Sequence, residues 1–261
     1  MIKKLRCNKE IIWSLAANDF SSKYAGSVFG VFWAFFQPVI TIIIYSCVFQ
    51  FGLKSTSPIE NASYIFWFSA GMIPWFFFSE AIRSISNVYI EYGYLVKKVL
   101  FDVELLPIVK LISAAFVHFV FIILLFFIAF FNQESITIYV LQLVYYLLCN
   151  MALSLAISKI ASSLILFFRD LSQIINIALD IGLWATPIIW PYNIVPNNFQ
   201  WILKLNPLFY IIEGYRDCFV SQQWFWNRPY VSIYFWIITV FLYGIGEIIF
   251  KRMRPQFADV L

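Results

Sequence analysis

Few residues in this chain are of a type and spacing that could do covalent chemistry. There is one histidine, His118, inside an apolar run; it reads as a hydrogen-bonded packing histidine. Cys7, Cys47, Cys149 and Cys218 form no C-x-x-C pair and read as buried hydrophobes or free thiols. No G-x-x-x-x-G-K-[ST] phosphate loop is present, so the chain alone should not hydrolyse ATP. No H-E-x-x-H or Cys/His cluster predicts a metal. No G-x-S-x-G offers a nucleophile, and no span carries regularly spaced arginines. An enzyme and a voltage sensor are both disfavoured.

What remains is charge and aromatic surface placed among apolar residues. Intramembrane charges are costly and face a cavity or a partner. Glu80 and Arg83 lie three apart, share a helix face and can pair; the other reading has them line a conduit. Asp180 stands alone in its run. It is expected to hydrogen-bond Asn176 or a neighbour such as Thr186, to be held protonated, or to line a path. Glu213, Arg216 and Asp217 share one face, as solvated outer charges or as an outer gate between subunits. Trp67, Trp75, Trp184, Trp190 and Tyr192 are conduit candidates, because sugar C–H groups can lie on aromatic rings; interfacial belts are the alternative.

These residues need elements to hold them, and the composition says which. Of 261 residues, 62% are hydrophobic, 21% aromatic and 12% charged, against about 45–50% apolar and about 25% charged in soluble domains. The solvent is therefore mostly lipid. A net charge of +4 is too small to suggest a nucleic-acid partner. Apolar runs at about 28–51, 64–89, 107–131, 137–167, 173–191 and 230–250 predict six transmembrane helices. Segment 8–24 reads as an N-terminal amphipathic helix in the membrane interface. Segment 194–216 is apolar but divided by Asn206-Pro207, a good N-cap followed by a residue suited to the first helical turn. It reads as a re-entrant helical hairpin before the last span. Pro38, Pro74, Pro187 and Pro191 are expected to break or kink spans. Gly26 and Gly30 suit either close helix packing or a simple helix start.

Charge placement supports this count. With both termini cytoplasmic, inner segments hold Lys3, Lys4, Arg6, Lys9, Lys23, Lys97, Lys98, Lys110, Arg169, Lys251, Arg252 and Arg254, 12 of the 18 Lys and Arg. A seventh span would put the basic C-terminus outside, against the positive-inside bias. The fold class is thus an all-α integral membrane protein, one domain over 1–261.

Several motifs in order resemble the permeases of ATP-binding-cassette polysaccharide exporters, nearest the O-antigen (Wzm-type) permeases. They are the run from Lys23 to Pro38, with Gly26-Ser27, Gly30, Trp33 and Gln37-Pro38; Lys98-Val99-Leu100-Phe101 with Leu106-Pro107; Phe168-Arg169-Asp170-Leu171; Trp184-Ala185-Thr186-Pro187-Ile188; Asn206-Pro207-Leu208; and the tail from Arg254 to Leu261. Asp102 departs from the Pro common in relatives. The resemblance covers the whole chain. It implies a homodimeric channel in the bacterial inner membrane and two copies of a separate ATPase that binds ATP and Mg. No cofactor is implied in this chain. The implied substrate is an undecaprenyl-diphosphate-linked polysaccharide, met by membrane lipids as well as protein. Docking of the ATPase would use Glu91, Lys97, Lys98, Phe101, Asp102 and Arg169. Lys23, Tyr24 and Arg169 would meet the lipid diphosphate or form the cytoplasmic mouth. Asn206, Pro207, Glu213 and Arg216 would belong to the outer gate. Rival readings are a same-fold exporter of capsule, teichoic-acid polymer or small amphiphiles, and an ion-coupled carrier using Asp180.

Overall fold

The computed structural model describes residues 8–59, 62–97 and 102–260, and all regular structure among them is helical. The expected interface helix is α1, Lys9–Lys23. Helix α2, Phe32–Cys47, continues as a π-helical turn, Val48–Gly52. Helix α3 is Tyr64–Ser86. Two single-turn helices follow, α4 at Val88–Glu91 and α5 at Gly93–Val96. Then come α6, Leu106–Phe131, α7, Leu143–Ile165, and α8, Leu171–Ala185. The divided segment is α9, Gln200–Leu205, and α10, Pro207–Phe219. The chain ends with α11, Pro229–Met253, and the short α12, Phe257–Val260.

Among the described residues, five helical stretches are long and apolar enough to cross a bilayer: Phe32–Gly52, Tyr64–Ser86, Val103–Phe131, Ile138–Ile165 and Pro229–Gln256. The sixth expected span is shorter than its apolar run. Helix α8 has 15 residues, about 22 Å at 1.5 Å per residue, against a hydrocarbon core of about 30 Å. Its end is set by Pro187. A residue before proline is driven out of the α region, and Thr186 is extended at φ −91°, ψ 140°. Pro187 and Pro191 therefore lie in an irregular corner beyond α8 and do not kink a span. Pro38 and Pro74 do sit inside α2 and α3.

Local signals fix the other ends. Ser63 caps α3, its Oγ accepting from the Phe66 amide at 3.4 Å. Its own amide donates to Glu134 Oε1 at 2.7 Å, tying this end to the α6–α7 loop. Asn206 caps α10 by accepting from the Leu208 amide at 3.0 Å, with Pro207 at the first helical position. Between α1 and α2 the chain turns through Gly26 at φ +83° and Gly30 at φ +51°. No atom lies within 4 Å of a Cβ built on either. These glycines supply left-handed turns and do not pack helices together.

Helix α3 is the hub. It contacts α2, α6, α7, α8 and α10, while α11 lies along α7 and α1 along α6. Nearly all of α3 is buried within the chain, whereas α2 and α11 are mostly exposed. The Asn150 Nδ2 of α7 donates to the Pro74 carbonyl at 3.0 Å, a buried polar bond across α3 and α7. Where apolar packing gains little over lipid, small residues and such bonds hold helices together.

Candidate translocation surface

Helix α1 is seated by a polar cluster as well as by packing. Ile12, Ala16 and Asp19 recur on its buried face, and Trp13 and Phe20 meet Phe116 edge-on at 5.3 and 5.9 Å. Asp19 accepts from Lys110 Nζ at 2.6 Å and from the Tyr92 hydroxyl at 2.8 Å. Lys110 also pairs with Glu91. Burial and the Asp19 carboxylate beside it both push the Tyr92 hydroxyl up from its ordinary pKa. Lys110 is thus an internal cation joining α1, α4 and α6, not part of an exposed basic inner surface. The signal for this is an aspartate at helical spacing from Ile12 and Ala16, on the buried face of α1.

A polar trough runs from this cluster into the apolar body. One cavity of about 350 Å³ is lined by Lys23, Tyr24, Gln37, Thr41, Ser79, Glu80, Arg83 and His118, with aromatic walls from Trp33, Phe76, Phe77 and Phe121. A second, of about 540 Å³, shares Lys23, Glu80 and Arg83 and adds Asn18, Asp19, Ser22, Glu91, Tyr92, Tyr94 and Lys110. The two adjoin at Lys23, Glu80 and Arg83. Glu80 pairs with Lys23, not Arg83. Arg83 pairs with Asp180 of α8 at 3.2 Å. Both expectations of local partners, Glu80 with Arg83 and Asp180 with Asn176 or Thr186, are therefore corrected. Tertiary packing gives each i,i+3 charge a better partner on another helix. Burial, then the Glu80 charge, raises the Tyr24 hydroxyl pKa.

Exposure decides what this face meets. The Arg83 and Asp180 side chains are 45% and 76% exposed. A charged group in hydrocarbon costs at least about 2.5–3.5 kcal/mol, more than an exposed ion pair, worth about 0–1 kcal/mol, returns. A surface carrying Lys23, Glu80, Arg83 and Asp180 is unfit for lipid tails and fit for water or a polar partner. His118 Nε2 hydrogen-bonds the Tyr215 hydroxyl at 2.8 Å, the packing role expected for it.

The five aromatic conduit candidates do not share a surface. Trp67 and Trp75 are buried. Trp67 carries the Arg216 guanidinium on its ring at 3.8 Å, and Trp75 lies against Gly182 and Phe78. Trp184 is exposed beside Ile177, Asp180 and Ile181. Trp190 is half-buried, its indole N–H donating to the Trp184 carbonyl at 3.0 Å. Tyr192 meets Phe209 edge-on at 5.6 Å.

Residues 213–217 correct another expectation. Glu213, Arg216 and Asp217 are buried, not solvated. Arg216 donates to Glu213 Oε1 at 2.7 Å and to the carbonyls of Pro187 and Ile188 at 2.8 and 2.7 Å. Asp217 instead pairs with Arg228 at 3.0 Å. Desolvating a charge costs several kcal/mol. Three charge-assisted bonds at about 1.5–3 kcal/mol each can offset that. Asn206 adds a bond from its Nδ2 to Thr186 Oγ1 at 2.9 Å. Together they clamp α10 to the corner after α8.

The docking candidates scatter. Lys97 and Arg169 are exposed. Glu91 is engaged with Lys110. Asp102 caps the turn before α6 through the Glu104 amide and pairs with Arg254 at 3.8 Å. Lys98 and Phe101 lie outside the described residues. Arg169 does not line the trough that holds Lys23 and Tyr24.

Several helices long and apolar enough to cross a bilayer, beside a charged, water-fit face, define a multi-pass membrane protein. Residues 10–220 match the ABC-2 type transporter family, and the chain belongs to that family. Two relatives from Klebsiella pneumoniae, each called an O-antigen export system permease protein RfbA, are 26% and 24% identical to it. The aligned regions span 97% of this chain and 95% of each relative. A protein of the same name from Myxococcus xanthus is 22% identical, over 99% of this chain and 98% of the relative.

Proposed function

We propose that this chain is the membrane subunit of an ATP-driven exporter that moves an undecaprenyl-diphosphate-linked O-antigen polysaccharide across the bacterial inner membrane. Two copies form the channel, and two copies of a partner ATPase bind ATP and Mg. Both termini are cytoplasmic. Helix α8 and the corner beyond it complete a sixth crossing, and α9–α10 dip in and return. The observation that carries this reading is the trough holding Lys23, Glu80 and Arg83, with Asp180 paired to Arg83 beside it, a polar face on an otherwise apolar molecule. It opens beside α1 and α4, near the exposed Lys97 where an ATPase could push. ATP-driven closure of the partner would be transmitted through 90–106 as a rigid-body shift. Lys23, exchanging its Glu80 partner, and Tyr24 would meet the lipid diphosphate at the inner mouth. Export in which α10 moves as a unit about Asn206-Pro207 gives the outer gate.

The test is reconstitution of the chain with its ATPase in vesicles bearing the lipid-linked glycan. ATP-dependent movement of glycan is expected. Absence of movement in vesicles whose ATPase hydrolyses ATP would overturn the reading.

A further inference from the structure

The C-terminal tail is a motif that the transport reading leaves unused. Pro255 lacks the amide hydrogen to continue the α11 ladder. After Met253 the chain tightens into a single turn, Arg254–Gln256, before α12. Phe257, the first residue of α12, is 1% exposed. Its ring lies 5.1 Å from Tyr89, 5.7 Å from Phe250 and 6.5 Å from Phe167. Tyr89 belongs to α4, and α5 also packs on α12. Arg254 reaches Glu104 at 3.4 Å and Asp102 at 3.8 Å, in the turn before α6. The tail therefore grips α4, α5 and that turn together.

These pieces need such a grip. Helices α4 and α5 have four residues each, and single turns do not persist without packing. On one side Glu91 of α4 is tied to Lys110 of α6. On the other, Leu95 and Val96 of α5 join the apolar cluster that contains Tyr89, Phe250 and Phe257. The two contacts of the tail differ in weight. The Arg254, Asp102 and Glu104 side chains are partly exposed, so their pairs add little stability and serve to set register. The buried ring is the fastening.

We propose that residues 254–257 are a latch that fastens α4, α5 and the turn before α6 to the end of α11, so that a push on these pieces moves α11 with them. The transmission of the push rests on the reading that a partner ATPase acts on 90–106; the fastening does not.

The complex of the full chain with its ATPase tests both, in nanodiscs for amide hydrogen exchange and in vesicles bearing the lipid-linked glycan for transport. Phe257→Ala should speed exchange across 88–97 about tenfold or more and leave 143–165 unchanged. Phe257→Leu, which keeps an apolar plug, should stay near wild type. Arg254→Glu alters a partly exposed side chain and leaves the fold intact. It should speed exchange less, and Glu104→Arg added to it should bring the rate partly back. In the vesicles Phe257→Ala should keep ATP hydrolysis and move several-fold less glycan per ATP. Exchange unchanged in both Phe257→Ala and Arg254→Glu, or raised equally across 143–165, would overturn the latch. Should Phe257→Ala not fold, Arg254→Glu and its reversal decide alone. Faster exchange with glycan per ATP unchanged would overturn the transmission. Wild-type vesicles that hydrolyse ATP and move no glycan would defeat the export reading instead, and the exchange measurement would still decide the fastening.

Discussion

At the residue scale, the account turns on who pairs with whom. Arg83 and Asp180 meet at 3.2 Å on an exposed face. Their pair should add less than about 1 kcal/mol to stability and matter mainly for the polarity of the trough. Arg83→Asp or Asp180→Arg alone should abolish glycan export while leaving yield unchanged, and the double swap should restore export in a complementation assay. Arg216 is the opposite case. It is 1% exposed with all its partners inside the chain. Arg216→Ala strands Glu213 and should cost about 3–5 kcal/mol, seen as a lower Tm in detergent. Gly214 has no room for change: an added Cβ would lie 2.0 Å from the Tyr146 ring. Gly214→Ala should destabilise the chain by about 1–3 kcal/mol or more, and Tyr146→Leu in the same chain should recover part of the lost Tm.

At the scale of elements, what the sequence announces is what local rules govern. Asn206-Pro207 marks a helix start by itself, and the hinge between α9 and α10 falls there. A helix expected over 8–24 is Lys9–Lys23. Run 107–131 becomes a helix from Leu106 to Phe131. The misses are all partner choices or chain reversals. Hydropathy carries an apolar run past Ala185, but Pro187 stops the helix. Spacing brings Glu80 to Arg83, but Lys23 and Asp180 arrive from α1 and α8. No pattern within one helix reveals a partner on another. Asp19 is the instructive exception, since a carboxylate on an apolar face demands a buried cation, and Lys110 supplies it. If that cluster seats α1, Lys110→Met should raise amide hydrogen exchange across 9–23. Adding Asp19→Asn, which removes the orphaned charge, should bring it partly back. Unchanged exchange in Lys110→Met would mean that Ile12, Ala16 and the Phe116 contacts hold α1 unaided.

At the scale of the whole molecule, two kinds of surface have to be told apart. Helix α11 exposes Ile233, Ile237, Val240 and Phe241, an apolar face suited to lipid. The trough between α1, α2, α3 and α6 exposes charge, suited to water and a polar cargo. The central claim is that the trough is the path of the glycan. A photoreactive amino acid at Thr41, inside the trough, and one at Ile237, on the apolar face, test it in cells exporting the polymer. The account predicts glycan-bearing adducts at Thr41 and none at Ile237. Adducts absent at Thr41, or equal at the two positions, would contradict it.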